Sequence, residues 1–409
     1  MESIIKQGPD IKEAFDANTE KAHIYFGLVE QWLSQQKESI EDLDQQAKAY
    51  GEEALAFRTM LKFIQSKNSI LGLKERVTLT LINPVYKETG RMQKRVQHPH
   101  GENSLRTKIE CLRYFEKLNL LFTGRVFIVD DGCPEGSGEM AESILSEYPE
   151  SAHKVFFLEK AIERNDIDLP DGITQKNGTN RSVKGGAVLF GMKKALNTSF
   201  EGLHIVVDND SDLSVHPMQL GLLIKDIVDG NAKVVAGSRR EEDSVSLIGG
   251  TRNQRGKLFI NIWQYFLPEL ADKITDTNRA FKAFESSALE KILPRIKTYT
   301  FPYQIELLQA SIAMNIPITK KGIAYIDSEA ASTQSGADIT ETYLNQIHQI
   351  IDIAKRYSAT NESDPLLKYF SSISEEEWTL IEANPPEKIQ DLIATSWISY
   401  NTLSIVFNA

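Results

Sequence analysis

The sequence predicts an α/β protein: a mostly parallel sheet flanked by helices, with helical additions at both ends of the chain. Two textures predict it. Between residues 75 and 335, short apolar runs that end in acidic or small polar residues take turns with helical stretches, the pattern of strands and their crossover helices. Residues 1–74 and 336–409 lack such runs and carry apolar residues at helical spacing instead. A length of 409 residues suits one large domain with helical additions, or two domains, and 41% hydrophobic against 25% charged residues provides for a substantial core.

The elements follow in order. Residues 1–74 are rich in Glu, Gln, Lys and Ala, with Ile24, Phe26, Leu28, Trp32 and Leu33, then Leu55, Phe57, Leu61 and Ile64, at helical intervals. They read as a helical cap on the main domain, or as an arm for a partner. VTLTLINP alternates apolar and Thr residues and is the first strand; VFIVDD, VFFLE, HIVVDND and KVVAGS are the next four. Helices are expected at 104–119, 138–147, 185–196 and 217–229. After residue 336, ETYLNQIHQIIDIAKRY and the stretch from Trp378 to Ile393 are helical again, with a break at Pro385 and Pro386. No internal repeat or low-complexity tract interrupts the pattern.

Charge narrows the partners. A formal net charge of −11 argues against nucleic acid, whose phosphates call for clustered Lys and Arg. Only Cys111 and Cys133 are present, too few for a disulfide framework or a CxxC metal site, so a reducing compartment fits. The opening MESIIKQGPDIKEAF lacks a signal-peptide pattern, and no apolar stretch approaches the roughly 20 residues of a membrane span. The expected location is cytoplasmic, which makes the sequons at Asn177, Asn180 and Asn197 chance matches.

In a parallel sheet, ligands sit beyond the carboxyl ends of the strands, and here those ends carry chemistry. HIVVDNDSDLSVHP runs an apolar strand into Asp208, Asp210 and Asp212. Three carboxylates so close repel one another, and a hard dication such as Mn2+ or Mg2+ offers a reason for them, as does a polar strand end that caps the next helix. No Glu follows at EF-hand distance. VFIVDDGCPEGSGE ends a strand in Asp130 and Asp131, able to bind a nucleoside or simply to form a βα turn. RSVKGGAVLFGM opens a helix with Gly185 and Gly186 beside Lys184, a helix start that also suits an anion; it is not a P-loop. VVAGSRREEDS and GGTRNQRGK concentrate Arg239, Arg240, Arg252 and Arg255, for a phosphate-bearing substrate or for pairing with Glu241, Glu242 and Asp243.

The order of these segments resembles family 2 and related glycosyltransferases with the GT-A fold. NPVYKE is similar to "PAYNE", VDDGCPEGS to "VDDGSTDGS", KGGAVLFGM to "KGGAVRAGM", DSDLSVHP to "DADLSHPP" and GSRR to "GSR". TDTNRAFKAF resembles "DTQCGFKLF" and FPYQIELL resembles "FDVELL", which points to the branch of dolichyl- and polyprenyl-phosphate sugar synthases. The likeness spans residues 76–330. It departs from that branch at Arg279-Ala280, where Cys-Gly is usual, and at Gln304, where an acid is usual.

The resemblance implies an enzyme that moves a hexose from a UDP- or GDP-sugar to a soluble acceptor, or to a polyprenyl phosphate by peripheral membrane contact. It divides the chain into an N-terminal helical extension (1–74), a GT-A catalytic domain (75–335) and a C-terminal helical region (336–409). Pro84, Tyr86 and Glu88 would shape the pocket for base and ribose, and Asp130 or Asp131 would bind the nucleoside. Lys184 and Gly185 would lie near the nucleotide with Asp208, and Arg239 near the diphosphate. Asp210 and Asp212 would hold Mn2+ or Mg2+. Asp276, then Glu306, would orient the acceptor or act as general base; a phosphate acceptor, already anionic, needs no base.

Other segments carry further expectations. The loop ETGRMQKRVQHPHGEN (88–103), with Arg91, Lys94, Arg95, His98 and His100, would close over the donor, meet an anionic acceptor or stay a surface loop. KLFINIWQYFLPEL (257–270) is apolar enough for core, partner or membrane-surface packing. His23, His153, His204 and His348 are expected to be structural. The helical ends are candidates for homo-oligomer contacts. A sugar nucleotidyltransferase would open with a Gly-rich basic loop that NPVYKETGRMQ lacks, and a non-catalytic nucleotide-sugar module would not need the acid cluster.

Overall fold

Eleven strands form among the described residues: β1 Val77–Val85, β2 Phe122–Asp130, β3 Lys154–Phe157, β4 Gln175–Lys176, β5 Thr179–Asn180, β6 Leu203–Asp208, β7 Val234–Ser238, β8 Val245–Leu247, β9 Lys282–Glu285, β10 Ile318–Gly322 and β11 Ala324–Ile326. The computed structural model describes residues 1–15, 19–173, 175–176, 179–180, 182–247, 252–327, 339–359, 361 and 363–383. Seven of the strands make one sheet in the order β10-β7-β9-β6-β1-β2-β3. All neighbours are parallel except β9, which runs antiparallel to both β6 and β7. β8 pairs with β11, and β4 with β5.

The five strands read from the sequence are all in the large sheet, and β9 and β10 join them unannounced. β9 is four residues, KAFE, too short to show a period, and β10, ITKKG, is a half-buried edge strand in which lysines replace apolar residues. Every residue of β1 is buried because helices cover both faces. Side-chain alternation sorts the core: Ile205 and Val207 join Leu79, Leu81, Val126 and Ile128 on one face, while Val206 joins Ile82 and Phe127 on the other.

Chain order positions the site. From β1 the chain proceeds to β2 and β3 on one side, then returns to place β6 on the other side of β1. That reversal opens a crevice at the carboxyl ends of β1 and β6. Register brings the ends together, with Val85 opposite Asp130 and Ile82 opposite Asp208.

Among the described residues up to Leu71, all the regular structure is helical. Thr19 and Ser39 cap the helices Glu20–Leu33 and Ile40–Ala47 through their hydroxyl oxygens. Tyr25, Val29, Leu43, Phe57, Leu61 and Ile64 share a core there, whereas Ile24 is 57% exposed. The helix Leu55–Leu71 lies on Leu220–Val228, and Gly221 allows it: its N–H donates to Ser66 Oγ at 2.8 Å, and a Cβ would meet the Ser66 carbonyl oxygen at 2.1 Å. At the other end, Ile339–Arg356 packs on Arg252–Phe266. Trp263, Phe266, Leu267 and Leu270 are fully buried, so the apolar side chains described in this segment, 258–270, pack into the core. Among the described residues, no helix is long and apolar enough to cross a membrane. The expected boundary at 335/336 and the stretch beyond residue 383, with Pro385 and Pro386, lie outside the described residues.

Candidate active site

Asp208 ends β6 with no exposed surface; its Oδ2 accepts a hydrogen bond from the Tyr303 hydroxyl at 2.7 Å. Asp210, two residues on, forms ion pairs with Lys184 and with Arg279. Asp212 lies between this cluster and the 88–108 segment: its charge acts on Lys184 as well as on Glu88, Arg91 and Lys108, and its Oδ1 accepts from the Ser214 N–H at 3.0 Å. The loop is held from outside. Lys108 Nζ donates to the carbonyl oxygens of Ser211 and Asp212, and Glu102 accepts from the Leu213 N–H. Burial pushes the Lys108 ammonium down to about 8, against the pull of Asp212.

Lys184 sits at φ 69°, ahead of the helix Gly185–Leu196. Burial lowers its pKa to about 8, opposed first by Asp208. Asp131 fixes this approach by accepting from the Lys184 N–H at 2.8 Å and the Ser182 hydroxyl at 3.0 Å. Gly185 does not take the donor-cradling role expected of it. Its N–H is spent on the Val183 carbonyl, the next on Tyr299, and the Ala187 N–H on Ser182 Oγ. Gly185 is needed because a Cβ would come 2.7 Å from the Tyr299 carbonyl.

Across the crevice, Arg239 leaves β7 and grips Asp276 with two guanidinium nitrogens at 2.7 and 2.8 Å, while its backbone N–H adds a third bond at 3.0 Å. Burial would raise the Asp276 pKa, but the Arg239 guanidinium wins and holds it well below the usual carboxylate range. Asp276 therefore orients Arg239; with both oxygens engaged, it is not arranged as the base that the sequence suggested. The Tyr325 ring meets Arg239 at 5.0 Å and Arg279 at 5.2 Å. Lys282, buried in β9, donates to Gln304 at 2.7 Å, and burial pushes it down to about 7.

The remaining expected residues have mixed fates. Pro84 is buried within β1, and Tyr86 is 40% exposed just beyond it, an aromatic face beside the crevice. Glu88 is buried and pairs with Arg91 at 2.7 Å; burial raises its pKa despite that partner. Arg91 also meets Glu102, so this part of the 88–103 loop is anchored to the site. Asp130 spends its carboxylate on the N–H groups of Gly132, Cys133 and Gly138 at 2.8 to 2.9 Å, which makes it the organiser of the turn. Glu306 is fully buried away from the acid loop. It accepts from the N–H groups of Lys297 and Thr298 and pairs with Arg356 of the C-terminal helix, so its role is to dock that helix. The side chains of Arg252 and Arg255 lie outside the described residues.

Sequence reasoning assigned no role to Lys108, Glu102, Tyr303 and Lys282. For Lys108 a signal existed, since it shares the apolar stripe of its helix with Leu105, Ile109 and Leu112.

A divalent cation suits this donor set. Asp208 Oδ1 and Asn209 Oδ1 are buried without a hydrogen-bond partner among the described residues, and oxygens lacking a donor are what Mg2+ or Mn2+ takes. No group of three or more acidic, His or Cys side chains converges among those residues to hold a metal alone. One or two carboxylates completed by substrate phosphates fits that arrangement.

No protein-family model matches the chain. Among curated proteins, it is 27% identical over 254 residues to a polyprenol monophosphomannose synthase of Mycolicibacterium smegmatis, covering 58% of this chain and 83% of that one. It is 23% identical to a dolichyl-phosphate beta-glucosyltransferase of Dictyostelium discoideum, covering 72% and 78%. The chain resembles glycosyltransferases, the class to which these relatives belong. Among solved structures, it is similar to a Mycobacterium tuberculosis glucosyl-3-phosphoglycerate synthase in complex with Mn2+, UDP-glucose and phosphoglyceric acid, at 14% identity and TM-score 0.46, covering 73% of this chain and 85% of that one. It is also similar to a Pyrobaculum calidifontis mannosyltransferase in complex with GDP-Man and Mn2+, at 14% identity and TM-score 0.42, covering 90% and 92%.

Proposed function

We propose that the protein transfers a hexose from a UDP- or GDP-sugar, with a divalent metal, to a soluble acceptor that presents an ionised phosphate. The observation that carries this reading is the convergence, at the β1–β6 crevice, of Asp208 and Asp210 with Lys184, Arg279 and Arg239. Packing alone gives no reason to gather so many ions at one strand end.

Asp210, assisted by Asp208 and Asp212, would hold the metal, and Tyr86 offers a face to the base. When bound, the metal supplies neutralisation of the departing diphosphate. Lys184 and Arg239 add fixed positive charge where that diphosphate leaves, and Asp276 keeps the Arg239 fork aimed. Asp276 and Glu306 are both committed to arginines. A phosphate oxygen attacks without a base, which matches that commitment.

The test is thermal: UDP and GDP are expected to raise the melting temperature only with Mn2+ present. Asp210→Asn and Asp212→Ala are expected to abolish the metal dependence. Equal stabilisation with and without Mn2+ would overturn the reading. A second reading, transfer to a polyprenyl phosphate, is favoured by the sequence relatives, which bear that acceptor class in their names. Co-sedimentation with anionic vesicles separates the two, because a soluble-acceptor enzyme stays in the supernatant.

A further inference from the structure

We propose that Arg279 is a donor-site residue with two stations: it rests on Asp210 while the site is free of donor, and it moves to the donor's diphosphate when metal and sugar nucleotide arrive together. This rests on the reading that Asp210 meets a metal-bound diphosphate.

The geometry of Arg279 argues for mobility. Its guanidinium is held by one carboxylate, Asp210, and by the face of Tyr325 at 5.2 Å. Its Nε is buried with no hydrogen-bond partner among the described residues. Arg239, on the same Tyr325 ring, is locked by three bonds to Asp276. One arginine is fixed, and its neighbour is tied loosely enough to change partner. The Tyr325 ring can carry a cation along its surface without a directional bond, so it suits a guanidinium that pivots.

The charges on Asp210 say when the move happens. Its carboxylate already meets two cations, Lys184 and Arg279. A lone dication beside them would add positive charge with no new anion in a mostly buried place, which is unfavourable. The diphosphate of a sugar nucleotide brings two negative charges that offset the metal's two. The metal is thus admitted with the nucleotide rather than before it, and the displaced Arg279 has an anion to receive it.

The experiment measures Mn2+ binding by the loss of the free Mn2+ electron paramagnetic resonance signal, alone and with UDP or GDP. In the unaltered protein, Mn2+ alone is expected to bind weakly and Mn2+ with nucleotide tightly. Arg279→Gln is expected to tighten binding of Mn2+ alone about tenfold, because Asp210 is released, and to weaken the nucleotide in the presence of Mn2+ by about tenfold. Arg279→Lys keeps the charge and is expected to keep lone Mn2+ out, which also covers the case in which the Gln variant does not fold. If the unaltered protein binds Mn2+ with nucleotide but Arg279→Gln changes neither constant, or if Arg279→Lys admits lone Mn2+ as freely as a neutral side chain would, this proposal falls while the function stands. Should Mn2+ fail to bind even with nucleotide, the function falls first and this proposal with it.

Discussion

Lys108 Nζ reaches from the helix Ser104–Leu118 to the carbonyl oxygens of Ser211 and Asp212, at 2.8 and 3.0 Å. A fully buried lysine is rare unless paired, and here the pairing is with backbone. The ammonium fixes the direction in which the acid loop leaves β6. Lys108→Met keeps the apolar stem and removes the two bonds. Burying the charge was itself costly, so the melting temperature is expected to change little. Mn2+-dependent nucleotide binding is expected to weaken by on the order of tenfold, as titration of the thermal shift against nucleotide concentration will report.

Asp276→Asn keeps the shape of the Arg239 partner and deletes its charge. A buried arginine then lacks its counter-ion, a change that costs about 3–5 kcal/mol. Denaturant unfolding is expected to show a loss of that size; with Arg239 proposed to act on the leaving diphosphate, kcat with any accepted donor is expected to fall at least as steeply as kcat/KM. A variant that loses stability and keeps kcat would make the pair purely structural.

Strand ends made much of this site legible in the sequence. β1, β2, β6 and β7 show apolar runs that stop at polar groups, and the crevice lies where they stop. What stayed hidden depends on tertiary pairing. Asp130 and Asp131 look alike in sequence, yet Asp130 faces the N–H groups of its own turn and Asp131 faces Lys184. Glu306 sits in a motif that resembles an acceptor-site motif, but its helix turns it toward Arg356, a residue whose position no local pattern encodes. β9 was missed because an antiparallel strand of four residues between two parallel ones leaves no periodic trace.

The N-terminal helices are expected to be inseparable from the catalytic sheet. Lys62 pairs with Asp243 and Arg58 donates to the carbonyl oxygens of Asp243 and Ser244, in the loop that follows Arg239 and Arg240. Phe63 and Phe15 both contact the His216 ring beside the acid loop. Removing residues 1–74 would bare those contacts and the apolar side of Leu220–Val228. The shortened chain is expected to be insoluble or rapidly proteolysed, whereas a soluble product with a cooperative thermal transition would show that the helices are an independent unit.

Acid is expected to destabilise the protein through its buried histidines. Burial, with Arg125 nearby, pushes His204 down to about 4, and burial with Lys108 nearby pushes His216 down to about 3. His216 Nδ1 accepts the Met218 N–H at 3.1 Å and so must stay unprotonated to cap its turn. The unfolded chain binds a proton at each site near pH 6.5. Between that value and the lowered native ones the unfolded state holds more protons, so stability is complete above about pH 6.5 and declines as pH falls toward 4. Melting temperatures measured from pH 7.5 to 4.5 are expected to fall across this window. His204→Gln, which retains a hydrogen-bonding group for Thr80 and cannot titrate, is expected to make the fall shallower. An unchanged slope in that variant would remove His204 from the account, and His204→Gln combined with His216→Gln would then have to flatten the fall for the histidines to be its cause.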